Sequence, residues 1–141
     1  MAKNNSTEKR RVLFFDDEKF ISGLMAQNLE MNGWDITFVD EINELFMELR
    51  SRQFDVLILD IMAPIPQKEN KHVNFTSSEI DEMEEGMNTG VVLANKIWAE
   101  IRKEQPILFL SAKQLETEHD YLLKPVFADE LEMKLHDMLN S

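Results

Sequence analysis

Five polar side chains stand where apolar runs of this sequence end. Asp16 and Asp17, with Glu18 behind them, follow "VLFF", and Asp60 follows "VLIL". Ser111 follows "ILFL", and Lys124 with Pro125 follows "YLL". Carboxylates gathered at one place repel and raise one another's pKa unless a cation intervenes. A hard divalent ion resolves that conflict, and Mg²⁺ takes one or two carboxylates together with waters and a phosphate. A lysine adds a second positive charge and a serine a hydrogen-bond donor. A phosphoryl group in transfer needs such a set, because its charge spreads over three equatorial oxygens. Asp60, central among them, has the chemistry of a nucleophile that would carry the group as an acyl phosphate.

These residues can meet only if the apolar runs lie side by side. Residues 12–15, 56–59, 107–110 and 121–123 are continuously apolar, as strands buried on both faces of a parallel sheet are. "ITFV" (36–39) alternates weakly and suits an edge strand. Between them fall helical patterns. Residues 18–32 carry Phe20, Ile21, Leu24, Met25 and Leu29, and Gly33 stops the helix. Residues 41–51 carry Ile42, Leu45, Phe46 and Leu49; residues 90–104 carry Leu93, Ala94, Ile97, Trp98 and Ile101. Residues 127–139 show a stripe of Phe127, Leu131, Leu135, Met138 and Leu139. Strands alternating with helices give right-handed βαβ units, hence an α/β, doubly wound parallel sheet. In such sheets ligands bind beyond the carboxyl ends of the strands, where all five polar residues stand.

The composition narrows the partners. A chain of 141 residues suits one domain, and 43% hydrophobic with 30% charged residues is ordinary for a globular protein. A net charge of −12 disfavours nucleic acid and favours cations and basic surfaces. No apolar run approaches the ~20 residues of a membrane span, so no membrane partner is expected. Cysteine is absent, which removes disulfides and thiolate chemistry. The polar start "MAKNNSTEKR" carries no export signal and reads as a disordered leader over residues 1–9, with one domain over 10–141. A cytoplasmic location fits these features.

"VLFFDDE", "VLILDIMAP", "ILFLSAK" and "YLLKPV" resemble the signature blocks of the response-regulator receiver domain of two-component signalling. The resemblance runs from about Arg11 to Asn140 and implies a flavodoxin-like sheet of five strands in the order 2-1-3-4-5. It implies Asp60 as phosphoacceptor, Asp17 as direct Mg²⁺ ligand, Asp16 as a ligand through water and the Met62 carbonyl as a further ligand. Ser111 would be the switch hydroxyl, Tyr121 the switch aromatic and Lys124 the phosphate-binding lysine. The Lys124–Pro125 bond would be cis. The donor would be a histidine kinase or phosphotransfer protein, and the signal would pass to a downstream protein by contact. Because the chain ends with its last helix, a stand-alone switch is expected rather than an enzyme. The alternative is a degenerate receiver acting as a constitutive binding module.

Two departures from that pattern stand out. βα loops generally run about 2–6 residues, yet no apolar helical pattern returns after Asp60 until "TGVVLANKI" at 89–97. Residues 65–88 are therefore an insertion beside the site. "TSSE" (76–79) within it reads as a capping box, opening a short acidic helix with Ile80, Met83 and Met87 inward. After Ser111 only "AKQLETEH" precedes Asp120, too short for the ~10–12 residues of a helical crossover. The fourth helix is expected to be reduced or absent, with the inserted helix or a second copy of the chain (a homodimer) covering the sheet there. His72 and His119 are expected in exposed loops.

Overall fold

The computed structural model describes residues 9–86 and 89–140. The expected leader, apart from Lys9, and Met87 lie outside the described residues. Five strands form one parallel sheet: β1 (Arg11–Phe15), β2 (Asp35–Val39), β3 (Val56–Asp60), β4 (Ile107–Ser111) and β5 (Asp120–Leu123). Their order is β2-β1-β3-β4-β5, the arrangement expected. The central three are buried nearly throughout, as their unbroken apolar runs require. β5, expected to be buried as well, is exposed at both ends and half-buried between. It lies at the sheet edge with no helix in the connection that leads to it.

Five helices cover the faces: α1 (Lys19–Met31), α2 (Ile42–Ser51), α3 (Ser77–Gly86), α4 (Thr89–Glu100) and α5 (Ala128–Leu139). Val12, Phe14, Ile58 and Leu108 point to the face where Leu29 of α1 and Leu131 and Leu135 of α5 pack. Leu13, Phe15, Leu57 and Phe109 point to the other face, under Phe46 of α2 and Leu93 and Ile97 of α4. Gly33 ends α1 with φ at 101°, a left-handed conformation that glycine adopts without strain.

α1 buries only part of the stripe that its sequence suggested: Leu29 is buried and Met25 packs against the core, but the stripe residues nearer the helix start are not. Phe20, Ile21 and Leu24 are 81, 62 and 55% exposed, whereas Ser22, Ala26 and Leu29 are buried. Toward its start the helix buries Ser22 and Ala26 in place of the larger side chains.

The inserted tract is ordered where the structure describes it. Its capping box is reciprocal: the Glu79 backbone N–H donates to Thr76 Oγ1, and the Thr76 N–H donates to Glu79 Oε1. Val73, Phe75 and Met83 are buried in the same core as α2 and α4. Phe75 meets Phe46 edge-on at 6.2 Å, and Arg50 Nε donates to the His72 carbonyl. Lys96 of α4, itself buried, donates to both oxygens of Glu79. The tract therefore seats on α2 and α4, not over β4 and β5 as the missing helix suggested.

Residues 112–119 hold no helix. His119 fills that place, edge-on to Trp98 at 4.9 Å and to Phe109 at 5.4 Å. Neither histidine is the exposed loop residue expected. His119 is half-buried, and so is His72, whose backbone N–H donates to Asn43 Oδ1.

Candidate functional site

The parallel register carries each polar residue to the same end of the sheet. Phe15 pairs with Leu59 and Asp60 with Leu110, so Asp16, Asp60 and Ser111 emerge on one rim. Each is buried, at 2, 2 and 1% exposure. Lys124 arrives from beyond β5, its backbone N–H donating to the Ser111 carbonyl at 2.7 Å. The following Lys124–Pro125 peptide is cis, as expected.

Carboxylate oxygens of Asp16, Asp17 and Asp60 lie within 4.8 Å of one another. Lys124 Nζ donates to Asp60 Oδ1 at 3.0 Å. That oxygen also accepts the Met62 backbone N–H at 3.1 Å. Burial pushes the Asp16 carboxyl above its ordinary value of 3.8; hydrogen bonds from Ser22 and the Glu18 backbone oppose that, and the neighbouring Asp60 adds to it. Burial also acts on the Lys124 ammonium, pulling it down, but its bond to Asp60 and the charges of Asp60 and Asp16 outweigh this and raise it. One lysine thus faces three acids, and the site is short of positive charge.

A magnesium ion matches this donor set. Its ligands are hard oxygens at about 2.0–2.1 Å, so two of them lie no more than about 4.2 Å apart. The three carboxylates need close by only tenths of an ångström to share it. The Met62 carbonyl, two residues after Asp60, is placed on the loop that leaves the same rim.

Two expected site residues make their contacts outside the carboxylate cluster. The Ser111 hydroxyl donates to the Lys113 carbonyl at 2.6 Å and accepts the Lys113 N–H. Tyr121 pairs in register with Phe109 and packs half-buried against the core below the rim. Two further residues escaped the sequence reading. Ser22 Oγ donates to Asp16 Oδ2 at 2.6 Å; only its place six residues after Asp16 hinted at this, and the apolar pattern pointed the other way. Gly90 lets α4 touch the end of β3, for a Cβ there would lie 2.9 Å from both the Asp60 carbonyl oxygen and Ile61 Cα.

No family model matches the chain. Solved structures do match its fold. The chemotaxis response regulator CheY4 of Vibrio cholerae is 18% identical with a TM-score of 0.69, covering 94% of this chain and 100% of that one. The receiver domain of the Francisella response regulator 1452 is 23% identical with a TM-score of 0.66, covering 94% and 98%. A response regulator from Thermotoga maritima is 20% identical with a TM-score of 0.66, covering 95% and 100%. The chain therefore has the receiver-domain fold, with one helix added after its third strand and none between its last two.

Proposed function

We propose that the chain is a phosphoacceptor switch in two-component signalling. Asp60 takes a phosphoryl group from a phosphohistidine on a histidine kinase or phosphotransfer protein. An Asp60 carboxylate oxygen forms the new bond to phosphorus as the phosphorus–nitrogen bond of the donor breaks, and the electron pair returns to the imidazole. The carrying observation is the buried Asp60, bonded to Lys124 Nζ at 3.0 Å with two further carboxylates close by.

Asp16, Asp17, Asp60 and the Met62 carbonyl would hold Mg²⁺, which when bound neutralises charge on the phosphoryl oxygens. Lys124 balances the charge on Asp60 before transfer and that on the phosphoryl group after it. Ser111 and Tyr121 serve as the switch pair: the hydroxyl leaves the Lys113 carbonyl for a phosphoryl oxygen, and the half-buried ring moves toward the space it leaves. Phe20, Ile21 and Leu24 on α1 and Phe127 beyond Lys124 are exposed near the rim, an apolar border on which a donor protein can dock.

Incubation with acetyl phosphate and Mg²⁺ should add the mass of one phosphoryl group. Asp60→Asn should abolish that gain and leave the circular dichroism unchanged, and EDTA should abolish it in the unaltered chain. Undiminished labelling of the Asn variant would remove Asp60 from this role.

A further inference from the structure

α1 turns a hydroxyl, not an apolar side chain, toward the acidic cluster. Ser22 is 4% exposed, and a hydroxyl buried without a partner is disfavoured. Its partner is Asp16 Oδ2 at 2.6 Å. The other oxygen, Oδ1, accepts the Glu18 backbone N–H at 2.9 Å. A carboxylate offers about four lone-pair sites. The start of α1 occupies one on each oxygen and leaves the remainder for the cavity shared with Asp17 and Asp60.

These two bonds hold the carboxylate at two points, so its plane cannot swing. Held by the Glu18 N–H alone it could rotate, and repulsion from Asp17 and Asp60 would turn it away from them. We propose that Ser22 is a positioning residue of the ion site, its hydroxyl fixing Asp16 in the orientation that shares a divalent cation with Asp17 and Asp60. This rests on the proposed function above, in which that site takes Mg²⁺. Ser22 touches neither ion nor phosphoryl group and acts only through Asp16.

The test is a double-mutant cycle on the full chain, read as the Mg²⁺ dissociation constant by calorimetry after removal of divalent ions with EDTA. Ser22→Ala should fold, since alanine is the better helix former, and circular dichroism checks this. The loss of one hydrogen bond that orients an ion-holding carboxylate should raise the dissociation constant about 10- to 100-fold. In the Asp16→Ala background the same substitution should change it less than about twofold, because the residue it acts through is gone. Unchanged affinity in Ser22→Ala would overturn the proposal. Equal loss in both backgrounds would overturn it too, assigning the effect to helix packing. If the unaltered chain binds no Mg²⁺, the proposed ion site fails and this inference fails with it.

Discussion

Residues 65–86 and residues 112–119 begin one residue or a few beyond a site residue, on neighbouring strands, yet they are held in different ways. The first stretch is long, polar and acidic, and it is anchored. Val73, Phe75 and Met83 enter the core, and Glu79 ties the cap of α3 to Lys96 of α4. The second is short, forms no helix and inserts one imidazole between two aromatic rings. Order here follows from what a segment buries. Three apolar side chains spaced through a polar tract suffice to seat it, while a short link lacks the length for a helix and closes its gap with the His119 ring and the partly buried Leu115.

That contrast is sharpest at Phe75. It is 3% exposed, meets Phe46 edge-on and carries the Lys96 ammonium 5.3 Å above its ring. Truncation of a buried phenylalanine typically costs about 3–5 kcal/mol through lost transfer energy and the cavity left behind. Phe75→Ala should therefore shift the urea midpoint strongly. A loss below about 1 kcal/mol would place the tract outside the cooperative core and break the comparison.

Much of this was legible before any coordinates, and the failures share a cause. Unbroken runs such as "VLIL" and "ILFL" marked the central strands, and the residues after them marked the rim, because a parallel sheet permits few other arrangements. Gly33 and the Thr76–Glu79 box were legible because caps are local. The start of α1 was not: periodicity favours burying Phe20 and Leu24, but the bond between Ser22 and Asp16 is a contact across elements. The seat of α3 was missed for the same reason. Its inward side, Met83, could be read from spacing, but which helices it faces depends on Phe46, Arg50 and Lys96, far away in sequence. His119 looked like a loop residue because nothing in its neighbourhood shows that Trp98 and Phe109 lie bare above and below it.

A smaller effect is expected at the ion pair. Lys96 is buried, with its side chain 5% exposed, while Glu79 and Glu100 are 27 and 46% exposed. Lys96→Met keeps the apolar stem over Phe75 and leaves two acids that water still reaches. The loss should fall near 1–3 kcal/mol, the usual range for stranding a partly buried group, and be concentrated in α3. Burial works against the charge on Glu79, but the Thr76 N–H and Lys96 prevail and hold its carboxyl below the ordinary 4.5. A depressed carboxyl contributes stability that is complete above its unfolded value and lost as pH falls through its folded one. The protection factor for hydrogen exchange across 77–86, in which the intrinsic pH dependence of the amides is divided out, should therefore fall as the pH is lowered below about 4.5. In Lys96→Met it should already be low at neutral pH. Equal exchange in the two proteins at pH 7 would mean the apolar anchors alone seat the helix.

The smallest effect is expected at His119, where the short link has only one ring to lose. Burial holds that imidazole below its ordinary 6.5, against the opposing pull of Glu118 and Asp120. Trp98 from α4 and Phe109 from β4 offer it no charge, and Asp137 of α5 lines the same cavity of about 270 Å³. A histidine depressed in the fold binds fewer protons there than in the unfolded chain. It therefore contributes stability that is complete above 6.5 and lost as pH falls through its lower folded value. The carboxylates add their own slopes, Asp16 with its raised carboxyl among them, so in the window between about 4.5 and 6.5 the histidine's part is the difference between the unaltered chain and a variant without the imidazole. As pH falls across that window the unfolding free energy of the unaltered chain should decline. His119→Phe keeps a ring against Trp98 and Phe109 and removes the proton, so its profile should be flatter there. Parallel profiles would show that the imidazole takes up its proton in place, and the gap left by the missing helix would then be open to water.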